Sequence, residues 1–245
     1  FNQMAEDLSS RAIALETSNR VRRQLLADVS HELMTPLTAM RGYLETLSMQ
    51  DLSLNQDTNK RYLDIVDDET RRLERLVGDL LDLARLEGGG LELQRGTVQT
   101  ELLFERVAAR HEQELQKRQI NLMQNIQPEA TKILGDSDRL EQALQNLTTN
   151  ALRHTPNGGE ISLTAKRHDA TTVALTIHDN GPGIPAEHLP LIFERFYKAD
   201  ASRQARGGSG LGLSIAKAII EHHGGMISAR NEEGALFEIV LPRHT

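Results

Sequence analysis

Cysteine and tryptophan are absent from this chain of 245 residues, and aromatic residues make up only 3% of it. Without cysteine the chain can form neither a disulfide nor a thiolate metal site, which is compatible with a reducing compartment. With so few aromatics, the core must consist mainly of Leu, Ile, Val and Ala. No apolar run in the sequence is long enough to cross a bilayer. We therefore expect the fragment itself not to be membrane-bound.

The formal net charge of the chain is −7. A nucleic-acid binder usually presents a basic face, so this charge argues against nucleic acid as a partner. Hydrophobic residues make up 38% of the sequence, which is enough for a core. The length allows one large domain or two small ones.

Apolar residues at three- and four-residue steps predict two long amphipathic helices in the first third of the chain. The stripe of the first helix, within residues 1 to about 50, is Leu26, Val29, Leu33, Leu37, Met40, Leu44 and Leu47. The stripe of the second helix is Tyr62, Val66, Leu73, Leu76, Leu80 and Leu83. Joined by a short polar segment, the helices form a hairpin that alone would bury both stripes poorly. We expect two copies to pair into a four-helix bundle; the alternative is a monomeric hairpin packed on a second domain.

Beyond the second helix, Gly88-Gly89-Gly90 marks a hinge, and the pattern changes to short strands mixed with helices. The predicted strands are Leu91–Val98, Asn121–Ile126, Lys132–Leu134, Glu160–Arg167, Thr172–Asp179, Gly225–Arg230 and Ala235–Pro242. The predicted helices are Thr100–Arg118, Ser137–His154 and Gly210–His223. This order predicts an α+β fold, in which one mixed sheet is covered by helices on one face.

The first chemical motif is Ser30-His31-Glu32-Leu33-Met34-Thr35-Pro36-Leu37 on the first helix. His31 lies two residues from apolar stripe positions on either side, so the helical phase turns its imidazole toward solvent. A free imidazole titrates near pH 6.5 and offers a neutral nucleophilic nitrogen at pH 7. Glu32 can hydrogen-bond the other ring nitrogen, and Thr35 lies one turn further on the same side. The plain alternatives are a surface histidine, a solvated carboxylate and a hydroxyl bonded to its own helix.

Two asparagines four residues apart, Asn146 and Asn150, share one face of a predicted helix. Their amide oxygens are hard ligands of the kind that Mg²⁺ accepts. Arg153 lies near the same face and can reach a phosphate. The alternative is a helix that carries ordinary surface asparagines.

Asp179 ends an apolar strand and precedes the glycine turn Asn180-Gly181-Pro182-Gly183-Ile184. Its carboxylate can only accept hydrogen bonds, and the two glycines let a flat ligand approach the backbone. The alternative is a plain Asp-Asn-Gly turn.

A glycine-rich segment, residues 207 to 212, leads into the last predicted helix, and such a loop presents free N–H groups to phosphates. It is not a Walker A loop, because Gly-Lys-Ser/Thr is missing. The polar segment before it, Tyr197 to Arg206, is interpreted as a lid whose cations meet a triphosphate. The alternative for this segment is a disordered loop with solvated charges.

These motifs, in this order, resemble the H, N, G1 and G2 boxes of bacterial sensor histidine kinases, and Phe193-Glu194-Arg195-Phe196 resembles the F box. The resemblance covers nearly the whole chain. It implies a dimerisation and histidine-phosphotransfer domain at 21–88 and an ATP-binding α/β sandwich of the Bergerat type at 91–245. Residues 1–20 resemble the end of a HAMP signalling helix, which implies the cytoplasmic portion of a membrane-anchored receptor.

The resemblance also implies autophosphorylation of His31 by ATP and transfer of the phosphoryl group to an aspartate of a response regulator. It makes Asp179 the acceptor for the adenine amine, Asn150 the main Mg²⁺ ligand with Asn146 in support, and Thr35 a residue of phosphatase activity. The full set of expected nucleotide-binding residues is Asn146, Asn150, Arg153, Asp179, Gly181, Gly183, Ile184, Tyr197, Lys198, Arg206, Gly208, Gly210, Leu211, Gly212 and Leu213.

One position departs from the family pattern: Met34 stands where relatives very often carry a basic residue. Two other functions stay open at this point. A chaperone- or topoisomerase-like ATPase would hydrolyse ATP without a histidine-bearing dimer helix. A catalytically inactive scaffold would act through dimer contacts alone, but the retained His31, Asn150 and Asp179 disfavour it.

Overall fold

The computed structural model describes residues 2–49, 55–88, 92–199 and 208–243. For residues 2–22, 24, 25 and 87 the description is limited to the helical backbone. The chain divides into two compact units, residues 1–78 and 79–245, and each is considered by itself. Within the described ranges, no helix has both the length and the apolar character that a bilayer crossing requires.

Unit 1 contains the predicted hairpin. Helix α1 runs over Asn2–Ser48, and helix α2 runs over Gln56–Glu87 and continues into unit 2. The two helices pack side by side: the rings of Tyr43 and Tyr62 lie 5.1 Å apart between centroids. The Thr70 hydroxyl donates to the sulfur of Met40 at 3.3 Å. Each contact pairs one residue of a predicted stripe, Tyr62 or Met40, with a residue outside the predicted stripes.

The predicted stripe of α1 is only partly covered within one hairpin. Leu26, Leu37 and Leu44 keep 60%, 47% and 49% of their surface exposed. On α2, Leu63 and Val77 are also exposed, at 54% and 46%. The exposed stripe residues of α1 agree with the expectation that a hairpin alone buries its stripes poorly, because each helix has more apolar width than one neighbouring helix can cover.

The described part of unit 2 begins with the last turns of α2 and continues with seven strands, three further α-helices and a 3-10 turn at Pro128–Ala130. The helices are α3 (Thr100–Arg118), α4 (Ser137–His154) and α5 (Gly212–His222). The strands are β1 (Gly96–Gln99), β2 (Asn121–Ile126), β3 (Lys132–Gly135), β4 (Glu160–Arg167), β5 (Thr172–Asp179), β6 (Met226–Asn231) and β7 (Ala235–Pro242). A five-stranded sheet has the order β2-β4-β5-β7-β6, in which only the β2–β4 pair is parallel.

The core of unit 2 lies between one face of this sheet and the helices. Alternate residues of β4 show the division: Ile161, Leu163 and Ala165 are fully buried, whereas Ser162 and Thr164 on the opposite face are half-buried. The helices contribute apolar residues at helical spacing, such as Leu140, Leu144 and Leu147 of α4 and Ile215 and Ile219 of α5. One helix-covered face makes this an α/β sandwich, as the sequence predicts.

The structure corrects the bounds of four predicted elements and the predicted number of sheets. The predicted strand Leu91–Val98 is a strand only from Gly96, and residues 92–95 are irregular. The predicted helix Gly210–His223 is α5 at Gly212–His222, and the strand predicted at Gly225–Arg230 is β6 at Met226–Asn231. The strand predicted at Lys132–Leu134 is one residue longer, because β3 ends at Gly135. Strands β1 and β3 form a separate two-stranded sheet, so the prediction of a single sheet is wrong.

Asp136 and His223 join three segments of unit 2. One oxygen of Asp136, Oδ1, accepts the N–H groups of Asp138 and Arg139 and caps α4. Its other oxygen accepts the N–H of Gln94 at 2.9 Å, which fixes the segment between α2 and β1. The backbone N–H of Asp136 donates to Nε2 of the buried His223 at 3.0 Å, and Nδ1 of His223 faces the carbonyl of Ile219 at 2.7 Å. This arrangement requires the neutral imidazole, with its proton on Nδ1.

The neutral form of His223 predicts a loss of stability in acid. Burial lowers its pKa below 6.5, against the opposing effect of the Ile219 carbonyl. The unfolded chain then binds the proton first, so the stability of unit 2 is undiminished above pH 6.5 and falls below it, by at most about 1.4 kcal/mol per pH unit. We expect His223→Gln, which keeps an acceptor for Asp136, to flatten the pH dependence of denaturant unfolding between pH 7.5 and 5.5. His222→Gln, one residue earlier, is the control, and an unchanged slope in His223→Gln would contradict the prediction.

Candidate nucleotide and phosphoacceptor site

The first group of predicted site residues lies on α1 around His31, whose side chain is exposed, as the helical phase predicts. Pro36 follows five residues later inside the same helix and is buried. Exposure leaves the imidazole nitrogens open to a large partner, and a proline within the helix removes one backbone hydrogen bond close to the nucleophile.

Glu32, beside His31, lies against α2. Its carboxylate approaches the guanidinium of Arg72 at 3.7 Å, and Arg72 also approaches Glu69 at 3.5 Å. All three side chains are largely withdrawn from water, with exposed fractions of 16–20%. The sequence predicts a hydrogen bond from His31 to Glu32 but gives no local signal for Arg72, which is forty residues away. Arg72 holds the carboxylate charge in place and offsets part of it.

The Thr35 hydroxyl donates to the carbonyl of His31 at 3.0 Å, one turn earlier on the same helix. This is the back-bonded arrangement that the sequence leaves open as the plain alternative. The bond uses the proton of the hydroxyl and keeps its oxygen on the side of α1 that carries His31. The oxygen can still accept a hydrogen bond from a water molecule.

The second group of site residues lies in unit 2, where Asp179 ends β5. Asp179 is 1% exposed, and its Oδ1 accepts the N–H of Gly181 at 2.9 Å. Its Oδ2 is buried without a hydrogen-bond partner among the described residues. Burial raises the pKa of this carboxyl above its ordinary value, while the N–H groups of Gly181 and Ala235 act in the opposite direction. A buried acceptor without a donor is costly, so this oxygen is suited to an N–H group brought by a ligand.

The turn after Asp179 is held by hydrogen bonds to two other segments. The N–H of Ile184 donates to Oδ1 of Asn231 at 2.8 Å, and Nδ2 of Asn231 donates back to the Ile184 carbonyl at 2.6 Å. The side chain of Asn180 accepts the N–H of Glu160 at 2.9 Å. A side-chain carbon on Gly181 would lie 2.8 Å from the carbonyl of His154 at the end of α4. One on Gly183 would lie 2.9 Å from Oδ1 of Asn231.

Helix α4 brings its polar face to the glycine loop. The Nδ2 of Asn146 is buried without a partner in the described part of unit 2, and Asn150, one turn later, is half-buried. A side-chain carbon at Gly212 would lie 3.6 Å from Cγ of Asn146, and one at Gly208 would lie 2.6 Å from Nη2 of Arg153. The structure thus brings Asn146 and Arg153 to the glycine loop.

The glycine loop crosses the F box segment at close range. The N–H of Phe196 donates to the carbonyl of Gly210 at 2.9 Å, and the two residues have φ angles of 59° and 76°. A side-chain carbon on Gly210 would lie 2.8 Å from the backbone of Phe196, so only glycine fits. Leu211 is fully buried and Leu213 is half-buried, so both anchor the start of α5 rather than face open solvent.

The remaining expected contacts lie before the loop. The hydroxyl of Tyr197 pairs with Nδ1 of His188 at 2.6 Å, which sequence reasoning did not indicate. Lys198 is half-buried. Arg206, like the rest of residues 200–207, lies outside the described residues, and so does most of the proposed lid.

Unit 2 therefore gathers three kinds of group with distinct chemistry. It has a buried carboxylate oxygen that needs a donor, a face of α4 with amide and guanidinium groups, and a glycine loop at the N-terminus of α5. A planar base with an amino group suits the first, and phosphates with a divalent cation suit the other two. The residues present thus fit a nucleotide with Mg²⁺.

Comparison with protein families supports both halves of this arrangement. Residues 21–89 match the family described as "His Kinase A (phospho-acceptor) domain". Residues 135–245 match the family described as "Histidine kinase-, DNA gyrase B-, and HSP90-like ATPase", which implies ATP binding.

Individual relatives agree with the family matches. Sensor protein SrrB of Staphylococcus aureus strain MRSA252 is 37% identical over 228 residues, or 92% of this chain. The chain spans only 39% of the length of that relative. Among solved structures, histidine kinase AdeS of Acinetobacter baumannii has a TM-score of 0.69 at 26% identity, over 88% of this chain and 98% of that one.

Two structures of histidine kinase ThkA are also similar. The one in complex with response regulator protein TrrA has a TM-score of 0.74 at 29% identity and covers 90% of this chain and 61% of that one. The nucleotide-free catalytic domain has a TM-score of 0.55 at 30% identity over 61% of this chain and 98% of that one. Both domain families are present in order, and the fold and the sequence agree with solved kinases over most of the chain. The chain belongs to the bacterial sensor histidine kinases of two-component systems.

Proposed function

We propose that this chain is an ATP-dependent protein-histidine kinase that phosphorylates its own His31 and passes the phosphoryl group to an aspartate of a response regulator. The observation that carries the proposal is the pairing of two features in one chain. An exposed histidine stands on the phosphoacceptor hairpin, and a buried carboxylate with an unpartnered oxygen stands beside a glycine loop in the ATPase-like unit.

Asp179 would bind the adenine amine through its unpartnered Oδ2, and Gly181, Gly183 and Ile184 would form the wall beside the base. The Oδ1 of Asp179 already accepts from Gly181, which aims the other oxygen away from the turn. Recognition then depends on a carboxylate that can only accept, which favours adenine over a base that presents a carbonyl at that position.

The phosphates would meet the N–H groups of the loop from Gly208 to Gly212 and the guanidinium of Arg153, which lies against Gly208. Lys198 and Arg206 would add positive charge. Asn150, with Asn146 in support, would hold Mg²⁺ through amide oxygens. Bound there, the cation would neutralise charge on the phosphates and orient them.

The transfer step uses the lone pair of the unprotonated nitrogen of His31. This nitrogen forms a bond to the γ-phosphorus, the bond from that phosphorus to the bridging oxygen breaks, and its electron pair leaves with ADP. The proton on the other ring nitrogen becomes acidic as positive charge develops, and Glu32 can accept it. Arg72 fixes the position of Glu32.

A response-regulator receiver domain is the proposed second substrate, since a similar kinase, ThkA, is known in complex with response regulator protein TrrA. The same site would also remove phosphate from the regulator. Thr35 would then use its hydroxyl oxygen, held one turn from His31, to orient the attacking water.

The chain would act as a homodimer through the hairpin, because Leu26, Leu37 and Leu44 remain exposed in one copy. Two hairpins forming a four-helix bundle would cover these side chains. We also propose domain limits near 21–88 and 91–245, with residues 1–20 as a HAMP-like signalling helix. The relatives are named sensor proteins and are longer than this chain, which supports a membrane-anchored parent with this part in the cytoplasm.

His31→Ala should reduce incorporation of label from γ-labelled ATP to background and leave ATP binding intact, because nucleophile and nucleotide site lie in different units. The wild-type label should be lost in acid and kept in base, as phosphohistidine requires. His168→Ala, which removes an exposed histidine from unit 2, is the control. Label in His31→Ala at the wild-type level would reject the assignment of the nucleophile, and label stable in acid would reject histidine altogether.

Asp179→Asn should weaken ATP binding in calorimetry at least about tenfold, because a charged hydrogen bond contributes about 1.5–3 kcal/mol. The hairpin is untouched, so the oligomeric state should not change. Asp169→Asn makes the same substitution in the turn at the other end of β5, where the side-chain oxygen only accepts backbone and hydroxyl donors. Equal ATP affinity in Asp179→Asn and the wild type would reduce Asp179 to a turn residue.

Thr35→Ala should slow dephosphorylation of a purified phospho-regulator about fivefold while autophosphorylation stays near the wild-type rate. The hydroxyl would orient water by one hydrogen bond of about 1 kcal/mol but takes no part in imidazole attack. Thr46→Ala is a matched control, because Thr46 also donates to the carbonyl four residues earlier, at 2.8 Å. Equal dephosphorylation rates in all three proteins would remove Thr35 from the mechanism.

A further inference from the structure

In the described part of the glycine loop, the side chain of Ser209 forms a hydrogen bond to α2. The proposed chemistry gives this side chain no role. The hydroxyl of Ser209 donates to Oδ2 of Asp79 at 2.8 Å. The same hydroxyl oxygen accepts the N–H of Leu211 at 3.2 Å. A chain of two hydrogen bonds therefore runs from the Asp79 carboxylate of α2 to the backbone N–H of Leu211, just before α5.

The N–H of Leu211 lies in the segment to which an anion would bind. Arg153 lies against Gly208, and the loop presents the N-terminus of an eleven-residue helix. The negatively charged carboxylate of Asp79 is hydrogen-bonded to the hydroxyl of Ser209. Its charge therefore lies next to the loop that the proposed function assigns to phosphates. Two anions held close to the same donors repel each other and compete.

We propose that Asp79 is a positioning residue that holds the phosphate loop through Ser209 and opposes binding of the nucleotide's phosphates. This inference rests on the proposed function. When a triphosphate binds, the Ser209 hydroxyl turns from the carboxylate to a phosphate oxygen, and the bond to α2 breaks. By linkage, whatever moves Asp79 away from Ser209 tightens ATP binding by the same factor that ATP weakens the bond. α2, which begins in the hairpin, thereby sets the nucleotide affinity.

A second carboxylate anchors the end of α2. One turn further on, Asp82 binds Arg139 of α4 at 3.1 Å and Gln142 at 2.6 Å. Leu83 and Leu86 beside it are buried, at 3% and 1% exposed. The helix end therefore stays attached to α4 when Asp79 is changed, so substitutions at Asp79 test its charge rather than the fold.

The experiment titrates the full chain with adenosine, ADP and a non-hydrolysable ATP analogue in Mg²⁺ and follows binding by calorimetry. We expect Asp79→Asn to bind the ATP analogue about fivefold to tenfold more tightly than the wild type, in the range of a typical coupling between sites. The gain should be smaller for ADP and absent for adenosine, because only the phosphates meet the carboxylate. Raising the salt concentration should shrink the gain through screening.

Two matched variants complete the test. Asp79→Glu keeps the charge and should stay close to the wild type. Asp68→Asn removes the same charge from an exposed position of α2 and should change nothing. An equal shift for all three ligands would show a purely structural role and overturn the proposal, as would unchanged or weaker binding of the ATP analogue in Asp79→Asn.

The outcome also separates this inference from the proposed function. If the wild type binds ATP and incorporates acid-labile phosphate while Asp79→Asn matches it for every ligand, only the role of Asp79 fails. If the wild type binds no adenine nucleotide, the proposed function fails and this inference fails with it.

Discussion

The hydrogen bonds of Asp136 hold together three segments of the ATPase-like unit. Its carboxylate caps α4, accepts the N–H of Gln94 and so fixes the segment after α2, while its own N–H donates to His223 at the end of α5. Asp136 is therefore hydrogen-bonded both to α4, which carries Asn146 and Arg153, and to the end of α5, which follows the glycine loop. The positions of Asn146, Arg153 and the loop before α5, which would meet the phosphates, therefore depend on the spacing of these two helices.

The elements with strong periodicity could be predicted from the sequence, because burial of one face alone decides them. Helices α3 and α4 and strands β2, β4, β5 and β7 lie where the pattern places them. The errors occur where a long-range bond decides the local conformation. Residues 92–95 alternate like a strand, but Gln94 donates to Asp136 instead of to a neighbouring strand. Gly225 closes the end of α5 by donating to Ile220, so β6 begins one residue later.

The residues of the candidate site likewise fall into those that the sequence reveals and those that only the fold reveals. Motifs of consecutive residues, such as the turn after Asp179 and the loop before α5, are visible in the sequence because each forms its own local geometry. The residues that hold them in place come from far along the chain: Asn231 for the turn, Arg72 for Glu32, and Asp79 for Ser209. Side chains of these types are common at solvated positions, so no local pattern distinguishes them before the fold is known.

In the proposed function, the adenine binds to a residue fixed by the sheet, whereas the phosphates bind to a loop held by few hydrogen bonds. Asp179 ends a strand paired on both sides, with Ile161 on β4 and with Ala235 on β7, so the position of its carboxylate is set by the sheet. The described residues of the phosphate loop pair with no strand and are hydrogen-bonded to Phe196 and Asp79. A base that stays bound through the reaction suits a rigid acceptor. A phosphoryl group that must leave is better bound by a loop whose few hydrogen bonds can be exchanged, because its release then requires no change in the sheet.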